Sequence, residues 1–140
     1  MGVKIIKRKK VAKSKYGIVI FRNHDLELHE EATVFCLSSF GFDVEALAPS
    51  NIPKSNNPDL LMLGTTWEMK GPRKANKETI RTKFRKARRQ SGGRAVFDLR
   101  NSGSDAKEIK KYIIDLFIEI HEMRRIMIIE DDEEMLDIFK

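Results

Sequence analysis

Thirteen residues, Pro58 to Lys70 (PDLLMLGTTWEMK), constrain this chain more than any other stretch. Leu60 to Leu63 is an apolar run, Gly64-Thr65 reads as a turn, and Thr66 to Lys70 resumes as a strand before Gly71-Pro72 stops it. Two extended runs joined by so short a glycine-containing link form an antiparallel hairpin. Strand side chains alternate between faces, so Glu68 and Lys70 share one face while Trp67 and Met69 turn to the other, toward a core. Asp59 opens the first arm, and the hairpin brings it beside Glu68. The chain must therefore fold around a sheet that carries two carboxylates and an ammonium on one face.

The rest of the sequence supplies the layers. Tyr16 to Phe21 (YGIVIF) reads as a strand. A helix follows, with Asp25 as candidate N-cap, Val34, Leu37 and Phe40 on its inner stripe, and Gly41 at its end. Phe42 to Leu47 alternates as a strand, and the Pro-, Asn- and Ser-rich residues from Pro49 to Pro58 form a loop. Lys77 to Gln90 is a second helix with a narrow stripe of Ile80, Phe84 and Ala87. Arg94 to Leu99 is a strand, and Asp105 to Arg124 a third helix facing inward through Ile109, Ile113, Leu116 and Phe117. Ile126 to Ile129 is a buried strand. The acidic end, with Met135, Leu136, Ile138 and Phe139, adds a short helix or packs on a partner. The expected fold is mixed α/β, a central mixed sheet flanked by helices. Residues 1–15 are a basic N-terminal arm or a ragged first strand, and residues 16–140 one domain, as suits a chain of 140 residues.

Charge narrows the partners. The net charge is +6, but residues 1–15 hold seven Lys or Arg and no acid, and residues 70–94 hold eleven with Glu78 the lone acid. Two basic blocks point to a polyanion, with nucleic acid the usual one. No apolar run approaches the ~20 residues that span a bilayer, and no signal peptide is visible. A cytoplasmic site of action and no membrane partner are expected. Cys36 is the single cysteine, which excludes an intramolecular disulfide and a cysteine-based zinc site; it reads as a buried core thiol. His24, His29 and His121 show no ligand spacing.

Asp59 and Glu68 are hard oxygen donors suited to Mg²⁺ or Mn²⁺, and such an ion can polarise a phosphate and acidify a water. Lys70 beside it can orient or deprotonate that water. Arg73, Lys74, Lys77, Arg81, Arg85 and Arg88 follow the hairpin and can contact substrate phosphates, with Gln90 at the helix end. The competing reading is a non-catalytic nucleic-acid-binding protein in which the carboxylates are incidental.

On these residues the segment resembles the P-D…(D/E)-x-K motif of the PD-(D/E)XK nuclease superfamily. The resemblance implies a restriction-endonuclease-like core and a further acidic ligand from the preceding helix. Glu30, Leu37 and Gly41 match the family spacing, and Glu30 lies on the stripe of Val34 and Leu37, so Glu30 is the expected ligand and Glu31 the reserve. Gln90 near the end of the second helix also fits. Over roughly Leu26 to Leu99 the layout is most similar to the C-terminal tRNase domain of contact-dependent growth-inhibition toxins. It implies an endonuclease with tRNA as the favoured substrate, a restriction- or resolvase-like DNA endonuclease as the alternative, and a cognate inhibitor protein as partner. The chain starts with its own Met and shows no delivery region, which suits a free-standing nuclease or a detached toxin module. A third reading is a protein-interaction module whose acidic C-terminus docks on the basic helix of a second copy; the sequence leaves the oligomeric state open, a dimer among the options.

Overall fold

The computed structural model describes residues 2–51 and 57–140. Eight strands form one mixed sheet in the order β1-β8-β7-β6-β5-β4-β3-β2. They are β1 (Lys4–Lys9), β2 (Val19–Phe21), β3 (Val44–Ala46), β4 (Leu60–Met62), β5 (Thr65–Lys70), β6 (Arg94–Asp98), β7 (Arg125–Ile129) and β8 (Glu134–Phe139). Three helices flank the sheet: α1 (Leu28–Ser39), α2 (Lys77–Gln90) and α3 (Ala106–Glu119). The expected fold class is the observed one.

The sheet divides the apolar residues between its two faces. On one, α1 sends Val34 and Leu37 against Val44, Leu60, Trp67, Met69 and Val96. On the other, α2 and α3 send Ile80, Phe84, Ile113 and Phe117 against Ala95, Phe97, Ile126 and Ile128. Val96 and its neighbours Ala95 and Phe97 thus go to opposite faces, as a pleated strand covered on both sides requires. Strands β5, β6 and β7 run parallel, joined by crossovers through α2 and then α3.

Trp67 and Met69 enter the α1-side core as the alternation predicts. The hairpin turn sits one residue earlier than expected. Leu63 and Gly64 both have positive φ, 56° and 73°, and Thr65 already belongs to β5. Two consecutive positive φ values are what a two-residue hairpin link needs to match strand twist, and Leu63 accepts an unfavourable backbone to provide one.

Helix boundaries differ from the expectation where capping decides them. Glu27, not Asp25, is the N-cap of α1, and its N–H donates to Glu30 Oε1 at 3.0 Å. Gly41, at φ 94°, ends the helix: its N–H donates to Ser38 O and that of Phe42 to Leu37 O. This paired closure is the Schellman arrangement, which favours glycine at that position. α3 stops at Glu119, five residues short of the expected Arg124, because Ile120 is extended and buried Met123 anchors the turn into β7.

Both chain ends join the sheet. Of the two readings for the first residues, Lys4–Lys9 takes the strand. The acidic end is neither a helix nor a free docking segment: β8 lies between β1 and β7, antiparallel to both. Met135, Leu136 and Ile138 are buried, and fully buried Asp137 accepts from Arg125 (2.9 and 2.6 Å) and Arg8 (2.9 Å). An unpaired carboxylate could not sit there, so Arg8 of β1 and Arg125 of β7 are the counterparts of Asp137 in β8. The loop expected over residues 49–58 lies partly outside the described residues.

Candidate active site

The hairpin register sets the carboxylates. Leu60 pairs with Trp67, and the N–H of Asp59 donates to Trp67 O at 3.1 Å. Asp59 therefore stands just beyond the end of β4, and its Oδ2 accepts the Met69 N–H at 2.8 Å. Glu68 pairs in register with Ala95 and Lys70 with Phe97, which puts both on the α2 side of the sheet.

A residue not singled out in the sequence completes the arrangement. Lys83 of α2 donates to Asp59 Oδ2 at 3.2 Å and to Glu68 Oε1 at 3.4 Å. The other Glu68 oxygen accepts from Ser91 Oγ at 2.9 Å, at the C-cap of α2. Glu68 is only 2% exposed. Burial, and next the Asp59 carboxylate, push its pKa above the ordinary 4.5, against the opposing pull of Lys83 and Ser91. The sequence holds a faint signal for Lys83. It lies beside Phe84 and three residues after Ile80, on the edge of the apolar stripe of α2, where a long side chain reaches the sheet.

A cavity of about 150 Å³ opens next to the pair, lined by Glu30, Asp59, Lys70 and Lys83 together with His29 and Thr33. The structure thus brings four of the sequence-derived candidates to one place: Asp59, Glu30 and Lys70 on the cavity, and Glu68 behind Lys83. Lys70 is exposed at the rim, with no ion-pair partner among the described residues. Glu31 does not line the cavity. Glu30 already serves the N-terminus of α1 through Glu27 N–H, leaving its Oε2 available. Glu27, His29 and Glu30 also offer ligand atoms within 4.8 Å of one another, a grouping that the histidine spacing alone did not suggest.

The cavity wall is braced from behind. Buried Asp98, at the end of β6, accepts from Thr33 Oγ1 at 2.6 Å and from Arg100 at 2.7 and 2.9 Å. Burial would raise its pKa, but the hydrogen bonds from Arg100 and Thr33 outweigh burial and hold it below the ordinary value. Arg100 also donates to Ala32 O, so α1 is tied to β6 at the point where it presents Glu30. Cys36, on the core face of α1, is buried as expected, and burial raises its thiol to about 11.

The basic candidates are distributed over both flanks of α2. Arg81 and Arg85 meet Glu78 at 3.8 and 3.2 Å, and Arg88 meets Glu122 at 3.0 Å. Arg73 and Lys74 are exposed between the hairpin and α2. Lys77 stands 5.7 Å over the Tyr112 ring. Gln90 is half-buried, and its carbonyl accepts from Thr66 Oγ1 at 3.4 Å.

The family described as the contact-dependent growth inhibition CdiA C-terminal domain matches residues 55–135, more than half of the chain and all of the site except α1. The chain belongs to this family. Its fold is also similar to a solved chain from a CdiA-CT/CdiI toxin and immunity complex of Burkholderia pseudomallei, with a TM-score of 0.61 at 17% identity. That similarity covers 86% of this chain and 98% of the other. No curated protein matches the sequence. None of the described helices is long and apolar enough to cross a membrane.

Proposed function

We propose that this family member is a toxin domain acting as a metal-dependent endonuclease of the PD-(D/E)XK type, with tRNA as its substrate. The observation that carries the reading is the convergence of Asp59 and Glu68 on a single cation, the Lys83 ammonium, beside a cavity that Glu30 and Lys70 also line. Two carboxylates, Asp59 just outside β4 and buried Glu68 on β5, are arranged to share positive charge. Paired carboxylates of this kind are hard oxygen donors suited to a divalent ion, and their attraction for the Lys83 ammonium supports that reading.

Asp59 and Glu68 would hold Mg²⁺ or Mn²⁺, with the free oxygen of Glu30 as a third donor. Such an ion, when bound, lowers the pKa of water and offsets charge on a phosphate. Lys70, at the rim, orients the attacking water and neutralises phosphate charge. Lys83 and Ser91 position Glu68, and the exposed Arg73 and Lys74 beside the hairpin hold the substrate backbone. The CdiA C-terminal family supports the toxin role. The structural neighbour, solved as a toxin and immunity complex, supports a cognate inhibitor protein as partner, and a tRNA substrate implies action in a cytoplasm.

The test is direct. Total tRNA and plasmid DNA are incubated with the protein in Mg²⁺, Mn²⁺ or EDTA. Discrete tRNA fragments that require the metal are expected. Cleavage of plasmid alone would replace tRNA by DNA. Nucleic-acid binding without cleavage in either metal would leave a simple binding protein.

A further inference from the structure

α2 carries two basic flanks, and they differ in charge balance and in what they adjoin. At about 100° per residue, Lys86 lies about 140° around the helix from Arg81. Thr79, Thr82, Lys83 and Lys86, at i, i+3, i+4 and i+7, share the first flank. Arg81, Arg85 and Arg88 share the second, and each of these arginines faces a glutamate.

The first flank borders a groove of about 350 Å³ lined by Lys70, Asn76, Thr79, Thr82, Lys83 and Lys86, with Glu78 at its edge. Lys70 and Lys83 line this groove and the carboxylate cavity alike. Groove and cavity therefore adjoin at these two lysines. A second groove beside Arg85, Arg88, Arg89 and Glu122 shares no residue with the cavity. Neither Lys70 nor Lys86 has an ion-pair partner among the described residues, and Glu78 is committed to Arg81 and Arg85. The positive charge left uncompensated next to the cavity is on the lysine flank. The threonine hydroxyls beside it are neutral donors suited to phosphate oxygens.

We infer that the groove along Thr79, Thr82 and Lys86 is the track for the sugar-phosphate backbone of the nucleic-acid strand leading away from the carboxylates, and that the arginine flank is not. The inference rests on the proposed nuclease reading for its direction, since the track starts at the cavity. From Thr79 to Lys86 the helix rises about 10 Å at 1.5 Å per residue. At about 3.4 Å of axis per phosphate along one strand, that accommodates about three successive phosphates.

The experiment measures binding of fluorescently labelled tRNA in EDTA, so that cleavage plays no part, across a series of KCl concentrations. Lys86→Ala is compared with Arg85→Ala/Arg88→Ala. Each removes exposed side-chain atoms, and circular dichroism confirms the fold. The expected result is a 5- to 10-fold weaker affinity for Lys86→Ala, with the slope of log K against log salt reduced by about 0.7–0.9. The double arginine variant should change affinity less than 2-fold. Equal or greater loss in the arginine variant, or no loss in Lys86→Ala, overturns the track. Metal-dependent cleavage by the wild-type protein is scored separately. Its absence with the lysine effect intact overturns the nuclease reading and leaves the track standing.

Discussion

Replacing Lys83 by methionine keeps the stem that packs beside Phe84 and removes only the ammonium. In the wild-type protein that group sits 3.2 Å from Asp59 and 3.4 Å from Glu68, with its side chain 13% exposed. Removing one partner from a buried ion pair costs about 3–5 kcal/mol, because the other charge remains without compensation. Asp59 is about one-third exposed, so water screens its share, and the lower end, about 3 kcal/mol, applies at pH 8. The cost depends on pH in a fixed direction. Without Lys83 the folded pKa of Glu68 rises further, so the folded state binds its proton more tightly than the unfolded state does. Stability then falls as pH rises above the unfolded value and is recovered below it, where both states are protonated. Urea unfolding of the wild type and Lys83→Met at pH 8 and near pH 4.5 reads this difference. A penalty of about 3 kcal/mol at pH 8 that shrinks by at least half at the lower pH is expected. An equal penalty at both pH values would show that packing, not charge, is the contribution of Lys83.

Other consequences are open to measurement. Asp137→Ala leaves Arg8 and Arg125 facing each other without their buried carboxylate; a loss of about 3 kcal/mol in chemical denaturation is expected, with Glu134→Ala, whose contact with Lys7 is exposed, near zero. Glu68 must lose its proton to hold a divalent ion, and burial raises its pKa in the metal-free protein, so at subsaturating Mg²⁺ cleavage should be lost on the acid side as Glu68 protonates; Ser91→Ala, which removes a hydrogen bond to the carboxylate, should move that loss to higher pH.

The sheet, its helices and much of the site were legible because alternation and helical periodicity are local signals. Trp67 and Met69 against Glu68 and Lys70 is a two-residue period, and it placed every one of those side chains on the correct face. The acidic end was misread because six acids among its last eleven residues suggest solvent, while Met135, Leu136 and Ile138 ask for burial. Only the two arginines that meet Asp137 resolve the conflict, and Arg8 pairs with it across 129 positions of sequence. Lys83 and Ser91 were missed for a related reason. A helix docked across β5 brings them to Glu68, and nothing in α2's own periodicity shows which basic residue crosses to the sheet. The side to which Glu30 turns was legible because its place on the α1 stripe is a local property; its engagement with the Glu27 N–H was not visible, since it depends on where the helix begins.

If Asp59 and Glu68 carry the chemistry, removing the charge of either stops cleavage. Cleavage of tRNA in saturating Mg²⁺ should be compared for the wild type, Asp59→Asn and Glu68→Gln, with circular dichroism confirming that each is folded. Metal-dependent fragments are expected from the wild type, with a loss of at least about 100-fold in rate for either variant, since each removes a charge that the ion's site cannot replace. Wild-type rates in either folded variant, or fragments that persist undiminished in EDTA, would show that these carboxylates hold no catalytic ion.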